Sequence, residues 1–445
     1  MRKPKPKSYQ LIRGMKDILP QEDARWDLIN KTAEKLARSF GYEYIETPIL
    51  EDTNLFVRSV GEHSDIVEKE MFSFTDKGGD NVSMRPEGTA PIIRSYIEHG
   101  MIREMQPVRM WYSGPFFRYD RPQAGRYRQF HQFGYEAIGE IDPIIDAEIL
   151  LMTNQFFKKL EIPISIQINS NGHSECRTKF IKAFQEYARS KRSMLCEDCK
   201  KRLLKNPMRI IDCKEEGCQT VASSGPQIVD HLCEDCRTHF TRVLEYCDEV
   251  NIPYVLNPRI VRGLDYYTKT TFEVWAEGDQ EAAQMSLGGG GRYDGLAEDL
   301  GGRYTPAIGA ALGLERISLK LIDRQIQKAR PDIFICQLGE KARRKCLGLI
   351  DALTNEGMSV VSALSKSNLK NQLEIANKKA AKFVLILGQK EIVDETIMLR
   401  DMDAGAQELL DFKKAVEEVK KRVQTYGVLV KDLKERGLTP HQFSR

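Results

Sequence analysis

The sequence predicts an α+β protein, in which a large domain with a mainly antiparallel sheet is followed by a small α/β domain. Residues 8 to 325 alternate helical and strand patterns, but residues 172 to 255 within them are Cys-rich and mostly helical, which indicates a helical insertion. Residues 331 to 423 alternate buried strands with helices. Residues 1 to 7 are a basic tail, and residues 424 to 445 are a C-terminal extension of unassigned role.

The overall composition is that of an ordinary globular protein. Of the 445 residues, 41% are apolar and 29% are charged, and no apolar run is long enough to cross a membrane. The basic start has no apolar stretch behind it and is therefore not an export signal. These features predict a cytoplasmic protein without a membrane segment. From residue 331 onward, 20 Lys and Arg face 16 Asp and Glu, which fits RNA contact and fits a solvated surface nearly as well.

The large domain shows helix and strand signals in sequence. An amphipathic pattern predicts a helix over Ala24–Phe40, which a glycine ends, and a strand over Tyr42–Ile45. Pro48 then ends that strand or places it at a sheet edge. Further strand-like runs cover Val108–Arg118 and Tyr127–Glu136, and a strand, a glycine and a helix are predicted over Ala307–Leu321.

The small domain shows three buried strand patterns separated by helical ones. The segment Asp323–Arg330 is the predicted hinge before it. The predicted strands are Asp332–Leu338, Ser359–Leu364 and Phe383–Leu387, and the predicted helices are Lys341–Glu356 and Ser367–Lys379.

The two long strands of the large domain carry an unusual set of polar residues. No Gly-Lys pair occurs in the chain, so a Walker-type phosphate loop is absent, and a protein that binds ATP would have to hold its phosphates with arginines. Because alternate residues of a strand face the same side, one face should hold several groups together with Arg118 of the neighbouring strand. These groups are Arg126, Arg128, Phe130, Gln132, Gly134 and Glu136. A hairpin with a salt-bridged outer face explains this combination poorly.

This arginine-rich strand pair resembles the second signature motif of the class II aminoacyl-tRNA synthetases. The first signature resembles residues Gly41–Glu51, and the third resembles Gly309–Arg316. The resemblance implies that Arg118 contacts the α-phosphate of ATP and the amino-acid carboxylate. It also implies that Arg126 and Arg316 bind ATP, and that Pro48 lies at the interface of a homodimer.

Three further blocks resemble the histidyl-tRNA synthetase family: Met84–Ala90, Val261–Thr268 and Ser286–Leu296. The resemblance runs in order from residue 13 to about residue 423. It implies that Arg262 and Arg118 are the catalytic residues, with Arg262 on the α-phosphate. It further implies that Glu87, Thr89 and Gln132 hold the α-amino group of histidine, and that Glu136 and Tyr267, with Tyr266 beside them, read the imidazole. Gly88, Arg118 and Arg262 complete the implied histidine-binding set.

The resemblance implies the substrates as well. They are L-histidine, ATP with Mg²⁺, and tRNA(His), with residues 331 to 423 as an anticodon-binding domain. A relative of different function is the catalytically idle regulatory subunit of ATP phosphoribosyltransferase. That protein lacks the C-terminal domain, whereas this chain has one and keeps Glu87, Arg118, Arg262 and Arg316. A synthetase for another amino acid is a third alternative.

Three histidines, His63, His99 and His131, lie in or near the segments of the predicted site. Each could be a general base, but a structural or surface role is the better prediction. The substrate carboxylate is already ionised, so amino-acid activation needs no protein base. His131 should also face away from the side that carries Gln132.

The insertion contains two CxxC pairs, Cys196 with Cys199 and Cys233 with Cys236. Such pairs are typical of a four-thiolate zinc site, which would be structural. The gap of 33 residues between them is long, and Cys213 and Cys218 are left over. Structural zinc, reduced free thiols and disulfides therefore stay open as alternatives.

In the small domain, Asn368, Lys370 and Gln372 resemble the family's anticodon-binding region. An ordinary amphipathic helix explains these residues about as well.

Overall fold

The computed structural model describes residues 9–61, 64–205, 207–211, 213–260, 264–277, 286–326 and 328–435. The chain divides into two units, Met1–Ile326 and Gln327–Arg445. The basic tail at residues 1 to 7 lies outside the described residues, as does the end of the C-terminal extension. No described helix is long and apolar enough to span a membrane.

The first unit is built on an eight-stranded sheet, in the order β1-β5-β6-β11-β10-β9-β7-β8, and a three-stranded sheet, in the order β2-β4-β3. Among the described residues of the large sheet, β1 with β5 and β7 with β8 are the pairs that run in parallel. The five central pairings are antiparallel, which confirms the predicted sheet type. The strands are β1 (Glu43–Tyr44), β2 (Leu50–Asp52), β3 (Phe72–Thr75), β4 (Asn81–Met84), β5 (Val108–Phe117), β6 (Gln129–Ile138), β7 (Ile164–Ser170), β8 (Tyr254–Leu256), β9 (Thr268–Ala276), β10 (Ser286–Arg292) and β11 (Ala307–Gly313).

Helices of the first unit cover the sheet and form the insertion. They are α1 (Asp23–Ser39), α2 (Thr53–Val60), α3 (Thr89–Glu98), α4 (Pro143–Lys159), α5 (Ser174–Ser190), α6 (Glu197–Lys205), α7 (Met208–Ile211), α8 (Glu216–Ser223), α9 (Glu234–Glu249), α10 (Leu296–Asp299) and α11 (Leu314–Lys320). The insertion α5–α9 leaves the sheet after β7 and returns on β8, the strand beside it. The predicted helix over Ala24–Phe40 and the strand, glycine and helix over Ala307–Leu321 are confirmed.

The two faces of the large sheet have different roles. Alternate residues of β6, among them Phe133 and Tyr135, pack into the main apolar core with α1 and α4. The intervening residues of β6 face the other side, where a second core cluster contains Tyr112 of β5 and Ile92 of α3. Because neighbouring residues of a strand point to opposite faces, the polar set of β6 is directed away from the main core.

The second unit contains a five-stranded sheet in the order β13-β12-β14-β15-β16. The three predicted strands pair in parallel, whereas β15 and β16, which the sequence patterns did not predict, add antiparallel pairs at one edge. The elements are β12 (Ile333–Gln337), α12 (Glu340–Asn355), β13 (Val360–Ser362), α13 (Leu369–Lys378), β14 (Phe383–Leu387), α14 (Gln389–Val393), β15 (Thr396–Asp401), β16 (Gln407–Asp411) and α15 (Ala415–Glu435).

Candidate active site

A cavity of about 440 Å³ opens on the face of the large sheet that the main core leaves free. Strands β5, β6, β10 and β11 and the first turn of α3 contribute to its lining. Nine of the predicted site residues line it: Glu87, Gly88, Thr89, Arg118, Arg126, Gln132, Tyr266, Tyr267 and Arg316. Glu136 lies directly behind the lining and is hydrogen-bonded to Thr89 and Tyr293, which line the cavity.

Three arginines converge at one end of the cavity. Arg118 follows β5, where its Nε donates to the carbonyl of Pro86 at 2.8 Å. Arg316 lies in the first turn of α11, and its Nε donates to the carbonyl of Gly125 at 3.3 Å. Burial, followed by the nearby charges of Arg126 and Arg118, lowers the pKa of the Arg316 guanidinium to about 10. Several cations held this close together favour an anionic ligand, because its negative charge offsets their mutual repulsion.

Arg128 does not join this cluster, which corrects the prediction that it shares a face with Arg126. Strand β6 begins only at Gln129, so the alternation of strand residues does not extend back to either arginine. The Arg128 guanidinium stacks over the ring of Tyr119, 3.5 Å from its centroid, and donates to the carbonyl of Arg13 at 3.3 Å. Arg128 therefore fixes the N-terminal segment against the loop between β5 and β6.

Glu87 places a buried carboxylate at the start of α3. Its oxygens accept hydrogen bonds from the backbone N–H groups of Thr89, at 2.8 Å, and Ala90, at 2.9 Å. Tyr266 donates its hydroxyl to the same carboxylate at 3.3 Å. Burial raises the pKa of Glu87, although the two backbone donors act in the opposite direction. A carboxylate held at the positive end of a helix can bind a cationic ligand without moving.

Glu136 is the more deeply buried carboxylate, and only 1% of it is exposed. It accepts hydrogen bonds from the Thr89 hydroxyl at 2.9 Å and the Tyr293 hydroxyl at 2.5 Å. Burial raises the pKa of Glu136 to about 8, against the lowering effect of those two hydroxyls. Glycine is required opposite it on β11, because a Cβ at Gly309 would lie 1.5 Å from the Glu136 Oε2. Two of the four lone-pair positions of the carboxylate remain for a further donor.

Two buried polar atoms at the cavity have no hydrogen-bond partner among the described residues. They are the Tyr112 hydroxyl and the Gln132 Oε1. Because a buried polar group without a partner is costly, its presence in a cavity lining indicates that a ligand supplies the partner. Tyr112 also fills the space left by Gly134, where a Cβ would lie 2.1 Å from the Tyr112 ring.

Tyr112 and Tyr293 are site residues that the sequence did not single out. Both side chains are buried at the cavity, and Tyr293 belongs to the block Ser286–Leu296 that carried the family resemblance. Their signal in the sequence is weak, since the chain contains 16 tyrosines. The arginine of the same block, Arg292, is structural, because it is fully buried and pairs with Asp146 at 2.7 Å.

Two tyrosines form the side wall of the cavity, and the insertion supports them. The rings of Tyr266 and Tyr267 lie 4.8 Å apart between centroids. Arg177, in the first turn of α5, donates to the backbone carbonyls of Asp265, at 3.1 Å, and Tyr267. The start of the insertion is thereby connected to the backbone of this wall.

Arg262, the second predicted catalytic residue, lies outside the described residues, and so does His63. The structural role predicted for His131 is confirmed, because its ring contacts the Glu315 carboxylate at 2.8 Å and packs edge-on against Trp26. His99 is exposed at the end of α3.

The cysteines of the insertion are grouped differently from the prediction. The pairs Cys196–Cys199 and Cys233–Cys236 do not meet in one site but belong to two separate clusters. The packing of helices α5 to α9 decides this grouping, because it brings other side chains to each pair. One cluster contains Cys196, Cys199, Cys213 and Cys218, and the other contains His173, Cys176, Cys233 and Cys236. All ten cysteines are free, which disfavours the disulfide alternative.

The small domain gives Asn368 and Gln372 structural roles. The Asn368 side chain caps α13 by accepting from the N–H of Lys370 at 2.8 Å. Gln372 is fully buried and exchanges two hydrogen bonds with the backbone of Gln337. Lys370 is exposed, and its side chain neither caps the helix, as Asn368 does, nor lies in the core, as Gln372 does.

The antiparallel sheet, with buried carboxylates beside an arginine cluster and a separate α/β domain, is the architecture of a class II aminoacyl-tRNA synthetase. The family model described as histidyl-tRNA synthetase matches residues 14–317, and the model described as anticodon binding domain matches residues 332–422. The chain belongs to the histidyl-tRNA synthetase family.

Similar proteins cover nearly the whole chain. A histidine–tRNA ligase of Natranaerobius thermophilus is 45% identical over 92% of this chain and 98% of its own length. One of Dehalococcoides mccartyi is 45% identical over 93% of this chain and all of its own length. Among solved structures, apo S. aureus histidyl-tRNA synthetase is 34% identical, with a TM-score of 0.78 over 93% of this chain and all of that one.

Proposed function

We propose that this chain is a histidine–tRNA ligase. It joins L-histidine to ATP, with release of diphosphate, and then transfers histidine from the adenylate to the terminal ribose of tRNA(His). The observation that carries the proposal is one cavity that holds an arginine cluster at one end and two buried carboxylates at the other. Membership of the histidyl-tRNA synthetase family supports it.

The arginine cluster binds ATP, which enters with Mg²⁺. The histidine carboxylate attacks the α-phosphorus in line with the departing diphosphate, so two anions must be brought together while charge increases on the phosphate. Arg118 is placed to neutralise both, because it lies between the phosphate end and the Glu87 end of the cavity lining. Arg126 and Arg316 bind the other parts of ATP. Fixed cations of this kind lower the barrier because they need no rearrangement during the reaction.

The carboxylate end binds histidine. Glu87, Thr89 and the unpaired Gln132 Oε1 surround the α-amino group, which is a cation with three N–H donors. Glu136 accepts from the imidazole, with Tyr266 and Tyr267 beside the ring. An amino acid without a ring nitrogen would leave these buried groups unpaired, and rejection by roughly 10⁴-fold is then possible without a proofreading step. The resemblance adds Arg262 as a second contact to the α-phosphate.

Each domain has its own role in this proposal. Residues 8 to 325 form the catalytic domain with its insertion at 172 to 255, and residues 331 to 423 bind the anticodon.

The chain acts as a homodimer through the surface around Pro48, which lies between β1 and β2. In support, four large apolar side chains on this surface are between 42% and 49% exposed, namely Tyr44, Ile49, Leu50 and Phe74. Light scattering on the wild type and on the Leu50→Asp variant tests the dimer, and the variant should be the more monomeric of the two. A wild type that is monomeric at micromolar concentration would refute the proposal.

The decisive experiment is ATP–diphosphate exchange measured with each of the twenty amino acids. Histidine alone should support exchange, and the Arg118→Gln variant should lose it while it remains folded. No exchange with any amino acid would remove the proposal and favour the regulatory-subunit alternative. Exchange with a different amino acid would favour a synthetase of another specificity. Transfer of radiolabelled histidine to a tRNA(His) transcript then tests the second step.

A further inference from the structure

The first cysteine cluster joins three helices of the insertion. Cys196 precedes α6, Cys199 lies within it, Cys213 follows α7 and Cys218 lies in α8. The four Sγ atoms all lie within 4.8 Å of one another. The Sγ atoms of Cys196 and Cys213 are 4.0 Å apart, close to the edge of about 3.8 Å that a tetrahedron of sulfurs has around zinc at about 2.3 Å.

The second cluster joins the first turns of the two helices that open and close the insertion. His173 and Cys176 lie at the start of α5, and Cys233 and Cys236 lie at the start of α9. The Nδ1 of His173 is 3.1 Å from the Sγ of Cys176, 3.4 Å from that of Cys236 and 3.9 Å from that of Cys233. A tetrahedral zinc with three sulfurs and one nitrogen has N–S edges of about 3.6 Å, which these distances bracket.

Groups around the clusters are those expected around metal-bound thiolates. The backbone N–H of Cys196 donates to the Sγ of Cys218 at 3.2 Å, and that of Cys233 donates to the Sγ of Cys176 at 3.2 Å. On the other side of its ring, the Nε2 of His173 faces the Glu175 carboxylate at 3.7 Å, which favours the tautomer with a free Nδ1 lone pair. The N-terminal ends of α5 and α9 both point towards the second cluster and stabilise negative charge there.

We propose that the insertion holds two structural zinc ions, one bound by Cys196, Cys199, Cys213 and Cys218, and one by His173, Cys176, Cys233 and Cys236. Binding transfers the thiol protons to solvent and leaves the ions without an open coordination position. Zinc is the metal of choice because four soft ligands in a closed tetrahedron match its preferences and need no redox partner.

The two ions have different structural roles. The first ion crosslinks the three helices α6, α7 and α8. The core of this part of the insertion is a small apolar cluster that includes Leu195, Leu203 and Ile210. The second fixes the point where the insertion leaves the sheet, one residue before Arg177, which holds the backbone of Tyr267. In the same region the backbone N–H of Asn171 donates to the carbonyl of Lys269 at 2.7 Å.

Metal analysis of the full chain, purified at neutral pH without chelator, tests the proposal. The wild type should contain two zinc ions per chain, and Cys199→Ser and Cys236→Ser should each contain one. The matched control is Cys346→Ser, a buried cysteine of the second unit that belongs to neither cluster, and it should keep both ions. A wild type that carries no zinc, or that carries iron instead, would overturn the proposal.

X-ray absorption at the zinc edge of the wild type tests the ligands of both proposed sites without any variant. The first shell should contain seven sulfurs and one nitrogen shared by two ions, at about 2.3 Å and 2.0 Å. A shell dominated by oxygen would mean that the zinc is bound elsewhere and would refute the assignment. Neither measurement depends on the enzyme activity, so failure of the proposed function leaves this test unaffected.

Discussion

Replacement of Glu136 by glutamine should stabilise the empty enzyme at alkaline pH and impair its activity. The carboxylate is 1% exposed and lies near the Glu87 carboxylate, and burial raises its pKa from 4.5 to about 8. A glutamine of nearly the same shape has no charge to bury. Its amide can still bond to the hydroxyls of Thr89 and Tyr293, because a hydroxyl can donate or accept.

The magnitude follows from linkage between protonation and folding. A rise of the Glu136 pKa from 4.5 to about 8 corresponds to on the order of 5 kcal/mol, at 1.36 kcal/mol for each pH unit. Because the folded state holds the proton more tightly than the unfolded chain, this contribution to stability is fully present below pH 4.5. It is lost as the pH rises through about 8. Relative to the wild type, Glu136→Gln should therefore gain stability between these two pH values.

The assay is urea unfolding at pH 5, 7 and 9, followed by tryptophan fluorescence. All three tryptophans, Trp26, Trp111 and Trp275, lie in the first unit, so the signal reports on the catalytic domain alone. Glu161→Gln is the matched control for loss of one charge, since the Glu161 side chain is 72% exposed in its pair with Arg324.

The result that refutes this reasoning is a stability difference between variant and wild type that stays constant from pH 5 to pH 9. It would mean that Glu136 is solvated in the folded protein. The variant should also lose about 10- to 100-fold in kcat/KM for histidine in the exchange assay, because an amide in place of the carboxyl group can leave the imidazole without its acceptor, and an unsatisfied buried polar group costs about 1–3 kcal/mol. Undiminished activity would remove Glu136 from the imidazole site.

Three further substitutions test other parts of the cavity. Arg316→Met should lower kcat/KM for ATP by about 100-fold, with a loss of roughly 3 kcal/mol of transition-state stabilisation, while the KM for histidine in exchange kinetics stays close to that of the wild type. Tyr112→Phe removes a buried hydroxyl without a partner among the described residues, so thermal unfolding should show a gain of about 1 kcal/mol, whereas the KM for histidine rises. Gly309→Ala should displace the Glu136 carboxylate and abolish histidine binding measured by calorimetry, at a cost in stability of about 1–3 kcal/mol.

The central strand pair was predictable because its signals are local. The period of two from Phe130 to Glu136 predicts which residues share a face, and the structure pairs Gln132 with Gly114 and Glu136 with Met110 in one antiparallel ladder. The alternation fails at Arg128 because the chain before Gln129 is a loop, and a loop imposes no period of two.

Residues that reach the site from other elements were not predictable in this way. The Tyr293 hydroxyl meets Glu136 across 157 positions of sequence, and no period or spacing connects them. The cysteine clusters illustrate the same point. Spacing identified the CxxC pairs as half-sites, but helix packing selects the second half of each, and one of those halves includes a histidine. Strands β15 and β16 were missed because β15 follows only the five-residue helix α14, and β16 follows β15 after a turn, so neither repeats the pattern of strands that alternate with long helices.

The charges around the cavity explain how the proposed site distinguishes its substrates. Burial and then the charges of Arg126 and Arg118 lower the pKa of Arg316 at one end, whereas burial raises the pKa of Glu87 and of Glu136 at the other. A triphosphate relieves the first set of charges, and an amino acid with a cationic amino group and a donor on its side chain relieves the second. Each substrate balances a different set of charges, ATP that of the arginines and the amino acid that of the carboxylates. A ligand with the wrong charge at either end leaves one of these sets without compensation. In the proposed site, specificity therefore comes from two sets of like charges, each of which is balanced by only one of the two substrates.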